Sequence, residues 1–207
     1  MLRVMTWVVL LVTIIATQTM VAAQSTLRPA ERRVASNAGG SGRSAADACR
    51  ADEKCRAVVA MAVREFGPSF QIDKTCPVLT ADLDGDGTED AIVVATGKEV
   101  LVGQTEFRYK VIDPSNAYFG YGDPKVTTQF TAMDGPQPML LVVHNWRAPT
   151  PRAKFVVINL SFAKISITRQ LIKKKIVTAI VTEDVMGMTS SVYWAGKQYK
   201  WEPGAVE

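Results

Sequence analysis

The patterning of this chain predicts an α+β domain, in which one N-terminal helix packs on a mainly antiparallel β-sheet. Three observations carry that expectation. Ala45 to Phe66 is rich in Ala, Arg, Glu, Met and Val, and Ala57, Val58, Ala60, Met61 and Val63 form an apolar stripe at helical spacing. From Val78 onward the pattern changes to short runs of Val, Ile, Thr, Tyr and Phe separated by Gly, Pro, Asp and Asn, which reads as strands and turns. No long helical stretch separates those runs, which argues against a parallel α/β sheet.

Taken in order, the expected helix starts at a capping box, Ser44 with Asp47 three residues on, and stops at Gly67-Pro68. The charged stretch Arg50 to Lys54 is either its solvated face or a turn that splits it in two. Strands are expected near 91–96, 99–103, 106–112, 125–132, 139–144, 154–160, 163–169, 173–182, 189–194 and 197–201, with hairpin-type turns at Asp134-Gly135 and Ala195-Gly196-Lys197. Lys173-Lys174-Lys175 lies between Ile172 and Ile176. On an edge strand such charges block pairing between sheets, and contact with anionic lipid or polysaccharide is the alternative.

Ahead of the domain, Trp7 to Ala16 is an almost unbroken apolar run after a start whose one positive side chain is Arg3. Val21-Ala22-Ala23 then offers small residues where a signal peptidase reads. Residues 1–23 are expected to be a cleaved signal peptide, and the product periplasmic or secreted. An uncleaved anchor needs about 20 apolar residues, and Thr17, Gln18 and Thr19 dilute the run before that. Gln24 at the junction offers no thiol for a lipid, so no integral membrane span is expected after cleavage. Residues 24–44, with Arg28, Arg32, Arg33, Arg43, Pro29 and Gly39-Gly40, have too little apolar surface to order themselves and read as a flexible basic leader, which leaves 45–207 as a single domain.

The chain carries 24 Lys and Arg against 20 Asp and Glu, a formal charge of +4. No predicted helix bears a basic stripe interleaved with base-stacking aromatics. The excess therefore reads as solubility with some attraction to acidic surfaces, and no nucleic-acid partner is expected. Three cysteines, Cys49, Cys55 and Cys76, imply one disulfide and one leftover thiol in an oxidising compartment, and the leftover could link two chains into a dimer. In a continuous helix Cys49 and Cys55 lie about 9 Å apart along the axis and on different faces, too far for a bridge. Either the helix breaks between them or Cys76 partners one of them.

The most informative segment is Asp82-Leu-Asp84-Gly-Asp86-Gly-Thr88-Glu89-Asp90. Carboxylates stand at loop positions 1, 3, 5 and 9, Gly87 stands at position 6 where a calcium loop turns sharply, and the Thr88 carbonyl is free to point inward at position 7. So many acids in one short loop repel each other unless a divalent ion neutralises them, and a cation taking six to eight oxygens suits the loop better than magnesium. An EF-hand would place a Glu at position 12 and continue as a helix, whereas Val93 stands there inside the strand-like run Ala91 to Thr96.

From Thr80 to Val94 the segment resembles the calcium loops of FG-GAP/VCBS-type repeats, the blades of integrin-like β-propellers, whose pattern is Asp-x-Asp-Gly-Asp-Gly-x-x-Asp followed by an aliphatic strand. The resemblance implies Ca2+ ligands at Asp82, Asp84, Asp86 and Asp90, with the Thr88 backbone oxygen, and no ligand role for Glu89. A single acidic loop does not make a propeller, so the expectation is a calcium-clamped hairpin in a stand-alone sheet. A metal-free Asp/Gly turn is the alternative.

Elsewhere, His144 follows Met139 to Val143 and is either a base beside a binding aromatic or a polar residue at a strand end. Trp194, Tyr199 and Trp201 read as a closing hairpin with aromatics facing each other across the strands. The rival is an exposed platform for a sugar ring or a protein, joined by Trp146, Tyr118 and Tyr121. No Ser/His/Asp set, second histidine for zinc or phosphate-cradling Gly loop is present. The resulting expectation is an exported non-enzymatic binding domain with a structural calcium loop and a protein or surface-glycan partner. The alternatives are a secreted hydrolase with an acidic cleft and a metal-free envelope interaction or inhibitor protein.

Overall fold

The computed structural model describes residues 52–73, 78–125 and 137–204. The signal peptide, the leader, the Ser44–Asp47 cap, Cys49, Cys76, the expected strand past Lys125 and the Asp134-Gly135 turn lie outside these residues. Among the described residues no helix is long and apolar enough to cross a membrane.

Helix α1 (Glu53–Phe66) starts at Asp52, whose side chain accepts from the Lys54 amide at 2.9 Å, and ends at Gly67, whose amide donates to the Val63 carbonyl. It buries Cys55, Val58, Met61, Ala62 and Phe66 on one face. Cys55 is held in a disulfide.

The central sheet comprises β1 (Gln71–Ile72), β2 (Leu79–Ala81), β3 (Asp90–Gly97), β4 (Lys110–Ile112), β5 (Gln137–His144) and β6 (Ala153–Val157). Its order is β1-β3-β5-β6-β4, with β2 also paired to β3, and every pair is antiparallel except β4 with β6. The second sheet is an antiparallel meander of β7 (Lys164–Ile172), β8 (Lys175–Glu183), β9 (Thr189–Trp194) and β10 (Tyr199–Pro203).

These elements stack in three layers with the central sheet in the middle. One core, with Val58, Met61 and Phe66 of α1, takes Ala91, Val93, Leu141 and Val143 from one face of the central sheet. The other takes Ile92, Val94, Leu140 and Val142 from the opposite face, together with Ile180, Val192 and Tyr199 of the second sheet. Because β3 and β5 are covered on both sides, they are written as unbroken apolar runs and not as alternating ones. Glu65 and Lys154, each with 14% of its side chain exposed, form a 3.0 Å ion pair that ties the end of α1 to β6.

The α+β expectation holds in its coarse form. Helix α1 begins at Glu53 behind the extended Asp52, so the run expected from Ala45 to Phe66 is not one continuous helix, and Ala57, Ala60 and Val63 of its expected apolar stripe lie exposed. Three further departures lie in the strand region. There are two sheets, since the expected C-terminal strands form their own meander. The run expected as strand over 99–103 is a turn leading into the short helix α2 (Gln104–Phe107). Buried Tyr109 explains this by donating its hydroxyl to the Val100 and Val102 carbonyls, which spends the backbone acceptors a strand ladder would need. The strand expected over 106–112 accordingly shrinks to β4, followed by α3 (Pro114–Tyr118), which Asp113 caps by accepting from the Asn116 amide. Third, Lys173 and Lys174 are the two central residues of the β7–β8 hairpin and not part of an edge strand, with φ of 49° and 66°.

A two-residue hairpin loop with both residues left-handed is the geometry that favours Asn-Gly, because a Cβ there is crowded by the backbone. Lys174→Gly is expected to raise stability by about 1 kcal/mol in urea unfolding, the left-handed strain relieved less the extra chain entropy of glycine. An unchanged or lowered midpoint would show that the hairpin carries no such strain.

Candidate metal centre

Pairing of β2 with β3 runs to Ala81 opposite Asp90, so the acidic loop over 82–89 is the tip of a hairpin whose stem belongs to the central sheet. Within the loop the carboxylates organise the backbone. Asp82 accepts from the amides of Gly85 at 2.7 Å, Asp86 at 3.1 Å and Gly87 at 2.9 Å, and Gly85 and Gly87 take the φ values of 77° and 83° that the turn requires. Asp84 accepts from the Asp86 amide, and Asp86 accepts both the amide and the hydroxyl of Thr88. The Thr88 bonds hold the Asp86 carboxyl below its ordinary range.

Carboxylate oxygens of Asp82, Asp84 and Asp86 lie within 4.8 Å of one another. Asp90, expected as the fourth side-chain ligand, groups instead with Asp84 and His144. It is fully buried, and its two oxygens accept the Leu83 and Asn145 amides, both at 2.9 Å. Burial pushes its carboxyl above the ordinary range against the pull of those two bonds. Asp90 thus fastens the loop to the turn after β5.

The register of the central sheet brings two further residues to the loop. His144, the last residue of β5, pairs with Ala153 at the start of β6, and the amide of Arg152 donates to the His144 carbonyl at 3.1 Å. His144 is 1% exposed and lies 2.7 Å through Nε2 from the hydroxyl of buried Tyr199. Its Nδ1 faces Asp84 Oδ2, a pure acceptor, at 2.8 Å and Arg152 Nη2, a pure donor, at 3.2 Å. One ring nitrogen satisfies one of these and not both. Burial pushes the imidazole below its ordinary value, against the pull of Asp90, Asp86 and Asp82. The Arg152 guanidinium also reaches the loop directly, Nη1 standing 2.7 Å from Asp86 Oδ2 and Nη2 resting on Asp84 Oδ2.

Asp84 Oδ2 is the oxygen on which these groups converge. The Asp84 side chain is only 2% exposed, and its Oδ2 meets both His144 Nδ1 and the Arg152 guanidinium at ion-pair distance. A buried carboxylate oxygen carries a desolvation cost that a hard cation beside it would offset. The converging donors Asp82, Asp84 and Asp86 fit such an ion.

The candidate binding aromatics do not all share a surface, and of them Trp201 and Tyr118 meet at one. Trp194 and Tyr199 pack with His144 and Phe155 inside the second core, with ring centroids 5.0 to 5.7 Å apart. Trp146 is 8% exposed, lies under the Arg147 guanidinium at 4.5 Å, and donates Nε1 to Glu89. Trp201 stands apart, meeting exposed Tyr118 and Phe119 edge-on or tilted at 5.1 and 5.8 Å. It lines a groove of about 1190 Å³ along the second sheet. A smaller cleft of about 520 Å³ separates Asp82, Asp84 and Gly85 from Ile167, Arg169 and Thr178.

Three residues at the loop carry no spacing signal in the sequence: Arg152 and His144, which arrive through register, and Glu89. Glu89 gathers Lys54 of α1 at 2.6 Å, Thr80 of β2 at 2.8 Å, and both Trp146 and Arg147 of the turn after β5. Burial pushes its carboxyl up, but the Lys54, Thr80 and Arg147 bonds outweigh this and bring it down to about 2.

Because the Glu89 carboxyl titrates lower in the folded chain than its ordinary 4.5, its contribution is complete above pH 4.5 and is lost as pH falls toward 2. The urea midpoint is expected to drop across that window, and Glu89→Gln to flatten the drop. An equal slope in the variant would remove Glu89 from the acid response.

The chain matches no protein-family model, no curated protein and no solved structure.

Proposed function

We propose that the chain is an exported, non-enzymatic binding domain whose acidic loop holds a structural divalent cation, calcium by the character of its donors. The observation that carries this reading is the convergence of the Asp82, Asp84 and Asp86 carboxylates about the buried Asp84 side chain, which already draws a guanidinium to its Oδ2. Oxygen donors from a flexible turn suit calcium, which accepts irregular shells of six to eight oxygens, whereas magnesium demands a near-ideal octahedron. The role is structural, because the loop closes the β2–β3 hairpin and its carboxylates are oriented by their own backbone amides. Asp90 is no free acid for hydrolysis, since it has no exposed surface and both of its oxygens are engaged.

For the partner, the groove beside Trp201 favours a surface glycan. Ser115, Asn159, Ser161, Gln170 and Thr189 line it with hydroxyls and amides, and an aromatic ring stands at its wall. That mixture of polar groups and a ring face is how proteins hold sugars. Export places the domain where such glycans lie and where millimolar calcium is met.

Two measurements test the reading. Calcium added to chelated, purified chain is expected to raise the melting temperature, and Asp84→Ala or Asp86→Ala to abolish the rise, since a ligand bound only by the native state stabilises it by mass action. A wild-type melt indifferent to calcium and chelator would reduce the loop to a turn. For the groove, Trp201→Ala is expected to lose retention on immobilised cell-wall polysaccharide while far-UV circular dichroism is kept. Retention unchanged in the folded variant would move the partner site elsewhere.

A further inference from the structure

The geometry points to Arg152 as an internal counter-ion of the acidic loop, whose guanidinium takes the place of the divalent cation and must be displaced for the loop to load. This rests on the reading of the loop as a divalent-cation site. Among the described residues Arg152 is the only full cation paired with the three converging carboxylates, bridging Asp84 and Asp86 with its two terminal nitrogens. Of the other basic groups nearby, Lys54 and Arg147 are both spent on Glu89, and Arg169 lines the cleft on which Asp82 and Asp84 open without an ion pair to either.

The residue is built to leave. Its backbone is fixed by the bond from its amide to the His144 carbonyl and by the strand that starts at Ala153, while its side chain is 47% exposed with solvent on its outer side. The guanidinium can swing out with no change in the sheet. It also crowds a donor against His144 Nδ1, which already faces Asp84 Oδ2. A small hard ion meets the same carboxylates from every side and makes no demand on the imidazole.

The arrangement sets a threshold. The loop keeps its charges balanced when calcium is scarce, and its apparent affinity is lowered by the fraction of time the guanidinium is docked. Arg152 therefore tunes the site to compartments where calcium is abundant.

Calcium titration of the purified chain by calorimetry, with melting in chelator, tests this on wild type, Arg152→Ala and Arg152→Gln. Both variants are expected to bind calcium about tenfold more tightly than wild type, corresponding to an arginine docked nine-tenths of the time, and to melt lower in chelator. An Arg152→Ala chain that folds only with calcium is the same result in stronger form. Variants that bind no tighter than a calcium-binding wild type would overturn the counter-ion and leave the cation site standing. Heat from none of the three chains would sink the cation site, and the inference with it.

Discussion

A carboxylate with no exposed surface stands at the head of the central strand, and the organisation of the site follows from how its charge is met. Asp90 opens β3 and has no formal cation against it. Two backbone amides, from Leu83 in the loop and Asn145 in the turn after β5, carry the charge instead. An ionised group in that setting is tolerable only if those donors stay in place, because losing either leaves a buried acceptor unsatisfied at a cost of about 1–3 kcal/mol. The loop and the β5–β6 turn are thus held at a fixed distance by one side chain. His144 and Arg152, which flank that turn, are thereby delivered to the loop's carboxylates.

Burial of the central sheet on both faces makes this anchor firm. Two apolar layers press on β3 and β5, so a one-residue slip of either strand would turn Asp90 or His144 toward the wrong core. Register is therefore specified from both sides, and the polar groups at the strand ends inherit that specification. The loop can remain short of its own packing because the strand behind it cannot move.

Much of this was legible in the sequence. The strand at 189–194, the end of α1 at Phe66 and the doubly apolar runs of β3 and β5 follow from composition and punctuation, and so does the Asp/Gly loop with its turn at Gly87. What was not legible depends on distant pairing. Nothing local distinguishes Asp90, engaged by amides, from Asp84, met by the Arg152 guanidinium and His144, since both occupy ligand positions of the same pattern. Arg152 follows Pro-Thr-Pro in a loop and looks like any surface cation until β5 and β6 pair. The Val100 to Val102 run has strand-like residues, but local backbone bonds from Val102 to Glu99 and from Gln104 to Leu101, the left-handed Gly103 and the Tyr109 hydroxyl arriving from beyond it hold it as a turn. The aromatic residues divide for the same reason. Spacing puts Trp194 and Tyr199 on one strand pair, but which face is covered depends on the sheet opposite.

That covered face connects the acidic loop to the groove. Tyr199 and Trp201 are two apart on β10, so both side chains leave the strand on the same side. The first meets His144 in the core, and the second meets Tyr118 and Phe119 at the groove. His144 in turn stands against Asp84 and Arg152. The position of β10 is thus set at one end by the contact of Tyr199 with His144 and at the other by α3. With the guanidinium docked, a donor is pressed toward His144 Nδ1. The contact between Tyr199 and His144 therefore ties the hairpin carrying Trp201 to the residues of the acidic loop.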